Sequence, residues 1–164
     1  MDVTSFLKGF VNKSENINEL ITLFLDRGQY NFGALFYKKS NTTYELIEHI
    51  YRCYNEIGNI SFSPFCSISN ITISNNSSEL FGYKSPYLVK NIIKIPINVC
   101  NDVIGVLCLG NKTTDIIEED IQKYTELISL TQLIVNKIKL RDYMLRFLCY
   151  ASERLCIWII FKGT

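Results

Sequence analysis

The chain has 164 residues, of which 48% are hydrophobic and 20% charged, and its formal net charge is +1. A chain of this length and apolar content forms one ordinary globular domain, which excludes an intrinsically disordered protein. The near-zero net charge provides no strong field of one sign, so we expect no nucleic-acid partner.

The start of the chain and its cysteines indicate where the protein works. Residues 1–15 lack the charged start and continuous apolar segment of a secretion signal, and the longest apolar run, residues 155–161, is too short to span a bilayer. The six cysteines form no Cys-x-x-Cys pair. A chain of this size needs no disulfide framework, so reduced thiols are expected. We therefore expect a cytoplasmic protein without membrane attachment.

The first part of the chain predicts one helix and one β-hairpin. Residues 16–27 carry apolar side chains at helical spacing, with Ser14 as the N-cap and Gly28 as the stop. Phe32–Lys38 and Tyr44–Tyr51 are rich in aromatic and β-branched residues, and a polar loop joins them, as in an antiparallel strand pair.

The middle of the chain carries a weaker pattern. Residues 67–74 alternate between polar and apolar side chains, which predicts a short strand. Asn, Ser, Gly and Pro are scattered through residues 75–86, which we predict to be a loop with one helical turn at residues 78–81.

Residues 91–110 predict a second hairpin. Its strands meet across a short polar turn at residues 100–102, and their apolar residues are Ile92, Ile93, Ile95, Ile97, Val99, Val103, Ile104, Val106, Leu107 and Leu109. Gly105 lies inside the second strand. A glycine at such a position usually marks a bulge or the close approach of another backbone or a ligand.

A long helix with two apolar sides is predicted for residues 117–149, which contain no Pro or Gly and follow small polar and acidic residues typical of a helix start. One side comprises Ile117, Ile121, Tyr124, Ile128, Thr131, Val135, Ile138, Asp142 and Leu145, and the other comprises Leu127, Leu130, Leu133, Ile134, Leu140 and Phe147. Two apolar sides need two burial partners. We expect the first half to pack on the sheet and the second half to form a homodimer, as a short coiled coil interrupted by Thr131 and Asp142.

Three motifs follow one another after residue 94: Ile95-Pro96-Ile97, then Ile104-Gly105-Val106-Leu107, then Asn111-Lys112 followed by Ile116 and Asp120. With these motifs in this order, the chain resembles the GAF domain family, the small sensor modules of signalling proteins. Ile116 stands where that family usually has an aromatic residue, and Ile121 where an acidic residue often follows the aspartate. The resemblance covers roughly residues 16–141. It leaves residues 1–15 as an N-terminal extension and residues 142–164 as the helix end and tail.

This resemblance implies an α+β fold of the GAF/PAS-like type, with a central antiparallel β-sheet flanked by helices and a long C-terminal helix. It also implies a ligand cavity between one sheet face and the middle loops. The candidate ligand-binding residues are Phe36, Phe65, Tyr83, Ile95 and Cys108. Ordinary core packing is the alternative for each of them. No set of convergent polar groups in the sequence identifies the ligand or a cofactor.

The resemblance further marks Asn111, Lys112 and Asp120 as a structural signature. In such domains the lysine and the aspartate commonly pair across the strand-to-helix connection, either to couple the cavity to the helix or to fix the angle at which the helix starts. As a largely exposed pair, Lys112 and Asp120 would stabilise the fold by only about 0.2 to 1 kcal/mol. Asn111 is expected to satisfy backbone groups in the turn rather than to contact a ligand.

The sequence does not predict an enzyme. His49 is the only histidine and has no neighbouring nucleophile motif, and no cluster of His, Cys, Asp and Glu has metal-ligand spacing. The glycine motifs that cradle phosphates are missing as well.

Residues 147–155 resemble the segment around the phosphoacceptor histidine of sensor histidine kinases, with Glu153 in place of the histidine. An ordinary amphipathic helix end is an equally good interpretation. The main hypothesis is a sensory or regulatory domain in signal transduction, which binds a small molecule or a partner and signals through its C-terminal helix. The alternative is a non-sensing dimerisation scaffold derived from a degenerate histidine kinase.

Overall fold

The computed structural model describes residues 17–40, 43–52, 68–76, 79–81 and 87–162. The helices are α1 (Ile17–Gly28), α2 (Glu119–Gln122) and α3 (Thr125–Lys162). The strands are β1 (Phe32–Lys38), β2 (Tyr44–Tyr51), β3 (Thr72–Ser74), β4 (Glu79–Phe81), β5 (Tyr87–Val89), β6 (Ile92–Val99) and β7 (Asp102–Gly110). The first helix and both predicted hairpins are therefore confirmed, whereas Ser14, the expected N-cap, lies outside the described residues.

Five of the strands form one antiparallel sheet in the order β2-β1-β7-β6-β3. The two hairpins predicted from the sequence supply its four long strands, which meet where β1 pairs with β7. The non-local β1–β7 pairing joins the early and late parts of the chain into one sheet, which local sequence patterns do not specify.

The β6–β7 hairpin turns at Cys100 and Asn101, whose φ angles of 50° and 68° match a two-residue type I′ turn. The strand register then shifts between Ile97 and Asn98, so that β7 carries one extra residue beside Gly105. A Cβ atom at Gly105 would lie 2.6 Å from the backbone carbonyl oxygen of Phe36. The prediction that this glycine marks a bulge or a close backbone approach is confirmed on both counts.

The two longer helices pack on one face of the five-stranded sheet, which we call the helix face. Helix α1 contacts β1 and β2, and α3 contacts β6 and β7. The core between the layers includes Leu20, Phe24, Leu35, Ile95, Ile97, Leu107, Leu109, Tyr124, Leu127 and Ile134. Each fully buried side chain of this size contributes about 1.5 to 3 kcal/mol relative to full exposure.

The predicted long helix starts later and ends later than its sequence pattern suggested. Lys123 and Tyr124 form a turn that separates α2 from α3, closed by a hydrogen bond from the Tyr124 amide to the Ile121 carbonyl at 2.9 Å. Such i→i+3 bonds tighten the turn and rotate the chain. The tightened turn holds the Tyr124 ring in the core beside Phe24, with 5.8 Å between the ring centroids. Helix α3 then runs without interruption for 38 residues.

Two predictions for the middle of the chain need correction. The helical turn expected at residues 78–81 is wrong, because Glu79–Phe81 forms β4 and pairs with β5 in a separate two-stranded sheet. Pairing with β5 supplies backbone hydrogen bonds that one isolated helical turn lacks. The strand expected at residues 67–74 is shorter, since only Thr72–Ser74 pairs with β6.

Candidate functional site

The segment after β7 is held in place by the side chain of Asn91, which precedes β6. Asn91 accepts a hydrogen bond from the backbone amide of Lys112 at 2.8 Å and donates to the carbonyls of Lys112 and Thr114 at 2.9 and 3.2 Å. Asn91 is only 7% exposed. The Asn91 side-chain amide thus supplies hydrogen bonds to backbone groups that have no strand partner beyond the end of the sheet, and these bonds fix the path of the chain toward α2.

Asn111 has a structural role in this connection. Its φ angle of 54° is a left-handed conformation that asparagine tolerates better than most residues. Its Oδ1 atom accepts from the Lys90 amide at 2.9 Å, and its carbonyl accepts from the Asn31 side chain at 3.0 Å. The Asn111 side chain therefore bonds a backbone group next to the connection.

A second asparagine fixes the far end of the connection. The Asn75 side chain accepts from the Ile116 amide at 2.8 Å and donates to the Ile116 carbonyl at 3.1 Å. Ile116 itself is 2% exposed and belongs to the helix-face core. The aliphatic residue that replaces the usual aromatic is therefore still a core anchor.

Asp120 in α2 is the electrostatic centre of the connection. Its carboxylate accepts from the Lys112 ammonium at 2.6 Å, from the Lys123 ammonium at 2.9 Å and from the Ile117 amide at 3.2 Å. The side chains of Asp120 and Lys112 are 1% and 11% exposed. The expectation of a largely exposed pair is therefore wrong, because Asn91 brings Lys112 down against the buried start of α2.

The pKa of Asp120 reflects two opposing effects. Burial raises the pKa of the carboxyl, but hydrogen bonds from Lys112, Lys123 and the Ile117 amide outweigh it and hold the pKa at about 2, below the ordinary 3.8. The carboxylate is thus charged at all physiological pH values. Its hydrogen bond to Lys123 also raises the pKa of that lysine.

The sheet face opposite the helices, which we call the distal face, is also buried. Its apolar cluster comprises Phe32, Ala34, Phe36, Val89, Ile92, Val106 and Cys108. Of the predicted ligand-binding residues, Phe36 and Cys108 lie on this face, at 1% and 0% exposure. Ile95 points to the helix face and is separated from them by the sheet. Phe65 and Tyr83 lie outside the described residues.

Two titratable side chains lie on the distal face among these apolar residues. Lys94 is half-buried and lies opposite Cys108 on β7 and Thr72 on β3. His49 lies opposite Ala34, and burial lowers the pKa of its imidazole. Lys94 is not among the residues predicted from the sequence. The only sign of it in the sequence is a lysine flanked by isoleucines in a mostly apolar strand, where a charged residue is unusual.

The outer surface of α3 differs from the predicted dimer seam, because Thr131, Val135 and Ile138 of that seam are buried. Leu127, Leu130 and Ile134 are buried against the sheet, which is the contact predicted for the first half of the helix. The exposed large apolar side chains described on α3 are Leu133, Leu140, Tyr143, Met144, Leu145, Phe147, Leu148 and Tyr150. Among them, Leu133, Leu140 and Phe147 repeat every seven residues, as do Tyr143 and Tyr150, and these five form an exposed seam. Thr131 does not interrupt this exposed seam, since it is buried and its hydroxyl bonds the Leu127 carbonyl at 2.7 Å.

Other kinds of site receive no support within the described ranges. No three His, Cys, Asp or Glu side chains there are grouped to hold a metal ion. No helix in that part of the chain is long and apolar enough to cross a membrane. Of the cysteines in the described ranges, Cys100, Cys108 and Cys149 are not in disulfide bonds.

The described residues form a small α+β module with a five-stranded antiparallel sheet, two long helices on one face of that sheet and a buried second face. Similar solved structures include several GAF domains. A GAF domain of an Acinetobacter phosphoenolpyruvate-protein phosphotransferase is similar at a TM-score of 0.57 and 17% identity, over 79% of this chain and 88% of that one. A GAF domain of a Bacillus halodurans sensor histidine kinase is similar at 0.51 and 15%, over 79% and 99%.

A third similar structure is the blue-light absorbing form of the Thermosynechococcus elongatus PixJ GAF domain, with a TM-score of 0.52 and 10% identity over 80% of this chain and 89% of that one. The chain therefore has the GAF fold, as its motifs predicted. No family model and no curated protein sequence matches it. The comparisons do not support the kinase-like origin inferred from residues 147–155.

Proposed function

We propose that this chain is a sensory or regulatory module of signal transduction, which binds a small molecule on the distal face and transmits the bound state through α3. The likeness to GAF domains of a sensor histidine kinase, a phosphotransferase and a light-absorbing protein supports the sensory role. Fold alone does not determine function, so the argument depends on the face itself.

The observation that carries this proposal is the composition of the distal face. The described helices α1 and α3 pack on the other side of the sheet, yet Phe36 and Cys108 are fully buried in a cluster that includes Val89 and against which Ile68 packs. Within this apolar layer lies the half-buried Lys94. A few polar groups among apolar side chains are typical of small-molecule sites, because apolar area supplies affinity and polar groups fix orientation.

The path from this face to α3 is short and stiff. Cys108 on the distal face is followed within the same strand by Gly110, and Asn111 and Lys112 come next in the connection. Hydrogen bonds from Asn91 and the buried pair with Asp120 tie that connection to the start of the helices. A ligand that binds one arrangement of β7 better than another would shift the population of helix positions.

Ligand binding is tested with the purified full chain. Native mass spectrometry detects a co-purified molecule, and a thermal-shift screen covers cyclic nucleotides, haem and linear tetrapyrroles. A ligand at one hundred times its dissociation constant should stabilise the fold by about 2.7 kcal/mol. Lys94→Met should reduce the response, whereas Lys90→Met, at an exposed position before β6, should leave it unchanged.

The results separate the two functional hypotheses. A bound molecule or a shift that depends on Lys94 supports the sensor. If no molecule is bound and no probe stabilises the wild-type chain, the sensor proposal fails and a dimerisation scaffold is the better interpretation. Equal responses in the Lys94→Met and Lys90→Met variants would place the ligand elsewhere.

We also propose that the module is a homodimer through the outer surface of α3. The exposed residues Leu133, Leu140 and Phe147 alternate with Asn136, Tyr143 and Tyr150 at three- and four-residue spacing, which is the seam of a coiled coil. Contiguous apolar surface of this kind marks an interaction site. Asn136 would specify a parallel, in-register pair, since a polar residue at a core position disfavours other registers.

Sedimentation equilibrium at micromolar concentration tests the dimer. Leu140→Glu should give a monomer, because two carboxylates would face each other inside the seam. Leu145→Glu is the matched control, since Leu145 is equally exposed on α3 but lies off the seam. A wild-type monomer with intact helix content, or equal dissociation in both variants, would refute the interface. The cytoplasmic location, the lack of enzyme activity and the lack of a nucleic-acid partner stay predictions of the sequence.

A further inference from the structure

A second site lies on the other side of the sheet from the distal face, where α3 leaves the domain. A cavity of about 250 Å³, open to solvent on one side, lies between the end of β1, the β6–β7 turn and α3. The residues that matter for its chemistry are Tyr37, Lys38, Asp102, Lys139, Asp142 and Arg146. The cavity is separate from the distal face because α3 forms one of its walls.

Three cations converge on this cavity without a carboxylate partner. Lys38, Lys139 and Arg146 line it, and none of them forms an ion pair with any carboxylate of the described chain. Lys139 instead lies over the Tyr143 ring, 5.9 Å from its centroid. The neighbouring Lys39 also lines the cavity but is bonded to Glu45 at 2.8 Å. Asp102 and Asp142 line the same cavity, so the three cations leave a small excess of positive charge there, which a bound anion would neutralise.

Tyr37 adds a neutral donor to the cavity. The residue is 8% exposed, it lines the cavity, and its hydroxyl makes no hydrogen bond to the part of the chain that the structure describes, which leaves the hydroxyl available to a ligand. Burial raises the pKa of Tyr37, and Asp142 nearby raises it further, so the hydroxyl keeps its proton and donates.

We propose that this cavity binds a phosphate group, either as inorganic phosphate or as a small phosphomonoester. A phosphate near neutral pH carries close to two negative charges and three strong acceptor oxygens. Arg146, Lys38 and Lys139 supply charge-assisted donors, and the Tyr37 hydroxyl supplies a fourth. Asp102 and Asp142 repel the anion. A phosphomonoester would therefore bind with its phosphate away from these carboxylates and with its free hydroxyl groups toward them, as hydrogen-bond donors.

The location gives this binding a consequence for α3. Lys38 belongs to β1, whereas Lys139 and Arg146 belong to α3. Among the α3 side chains whose burial is described, which end at residue 151, Ile138 is the last one buried in the sheet-facing core, and those from 139 to 151 are largely exposed. A bound phosphate would therefore bridge sheet and helix just where their apolar contact ends. The site goes beyond the proposed sensor, since it does not require a ligand on the distal face.

Isothermal titration calorimetry of the full chain tests the site with two probes, inorganic phosphate and glycerol 2-phosphate. Both titrations are run against sodium chloride of equal ionic strength, which removes general screening. We expect saturable binding of at least one probe. Arg146→Ala should weaken it about tenfold, and Tyr37→Phe about threefold or more. The probe that binds more tightly identifies the source of the phosphate.

Arg141→Ala is the matched control, because Arg141 is exposed on the same helix, carries the same charge and does not line the cavity. Its affinity should change less than about twofold. Amide chemical shifts of the wild-type chain give a readout independent of any variant: phosphate should move residues 38–40 and 102–104 and leave β3 unchanged. No saturation up to about 10 mM, equal losses in Arg141→Ala and Arg146→Ala, or shifts spread over the surface would overturn the proposal.

Discussion

Replacing Asp120 with asparagine tests whether the buried ion pair at the β7–helix connection stabilises the fold. The substitution keeps the size of the side chain and removes its charge, so the Lys112 ammonium, 11% exposed, loses its counter-ion. The carboxyl pKa of about 2 lies nearly two units below the ordinary 3.8. At about 1.4 kcal/mol per unit, this difference corresponds to roughly 2 to 3 kcal/mol of stability at neutral pH.

A second figure for the same loss is the cost of removing one partner of a buried pair, which is typically about 3 to 5 kcal/mol, and the two figures are not added. We expect urea unfolding at pH 7 to give a loss of about 2 to 4 kcal/mol. Asp26→Asn is the control, because Asp26 pairs with Arg52 at the surface with its side chain 55% exposed. That variant should lose less than about 1 kcal/mol.

The pH dependence provides a separate check of the same reasoning. Since the folded-state pKa of Asp120 is lowered, its contribution is complete above about pH 4 and is lost as the pH falls toward 2. The stabilities of wild type and Asp120→Asn should therefore converge over that interval. The double variant Lys112→Met/Asp120→Asn should cost less than the sum of the two single changes. Each single change leaves the other residue of the pair with an uncompensated charge, whereas the double variant removes both charges. A loss no larger than that of Asp26→Asn, or a difference independent of pH, would refute the buried pair.

Three further outcomes are expected. Gly105→Ala should destabilise by about 1 to 3 kcal/mol in denaturant unfolding, because its Cβ would meet the Phe36 carbonyl oxygen at 2.6 Å. Gly33→Ala should cost less, since its nearest atom is a side-chain methyl, Cγ2 of Ile21, rather than backbone. Equal costs would contradict the explanation. Asn91→Ala should lower the free energy of unfolding by about 2 to 4 kcal/mol, because three backbone groups of the connection lose their partner. A change below about 0.5 kcal/mol would show that water replaces the amide. In thiol labelling with a disulfide reagent, the exposed Cys100 should react at once, and the buried Cys108 should react only as fast as the protein opens. Comparable rates for the two thiols would mean that the distal face is accessible to solvent.

Part of the candidate site could be predicted from the sequence and part could not. Asn111, Lys112 and Asp120 are recognisable as a motif at short spacing after a strand, and the Lys112–Asp120 bond spans only eight residues. The hydrogen bonds of Asn111 to Lys90 and Asn31 could not be predicted, because those residues are distant in the chain. Asn91 and Asn75 were not predicted as part of the site, because each forms hydrogen bonds with residues 21 to 41 positions away in the chain. A polar side chain in a loop carries no local sign of such a partner.

The distal face illustrates a second limit. Alternation along β6 shows that Lys94 and Ile95 point to opposite sides, but isoleucines lie on both sides of this strand. The pattern therefore does not reveal which side the helices cover. The choice follows from the register of β6 on β7 and from the packing of α3 over both strands.

The order and type of the main elements were determined by the sequence itself, because period-two and helical apolar patterns, turn residues and caps act within a few positions of each other. Only the tertiary structure decided the burial of Asp120, the separation of Ile95 from Phe36 and Cys108, and the outward seam at Leu140. Each of these depends on which distant surfaces meet, and contact between distant segments is set by the packing of the whole domain rather than by any local pattern.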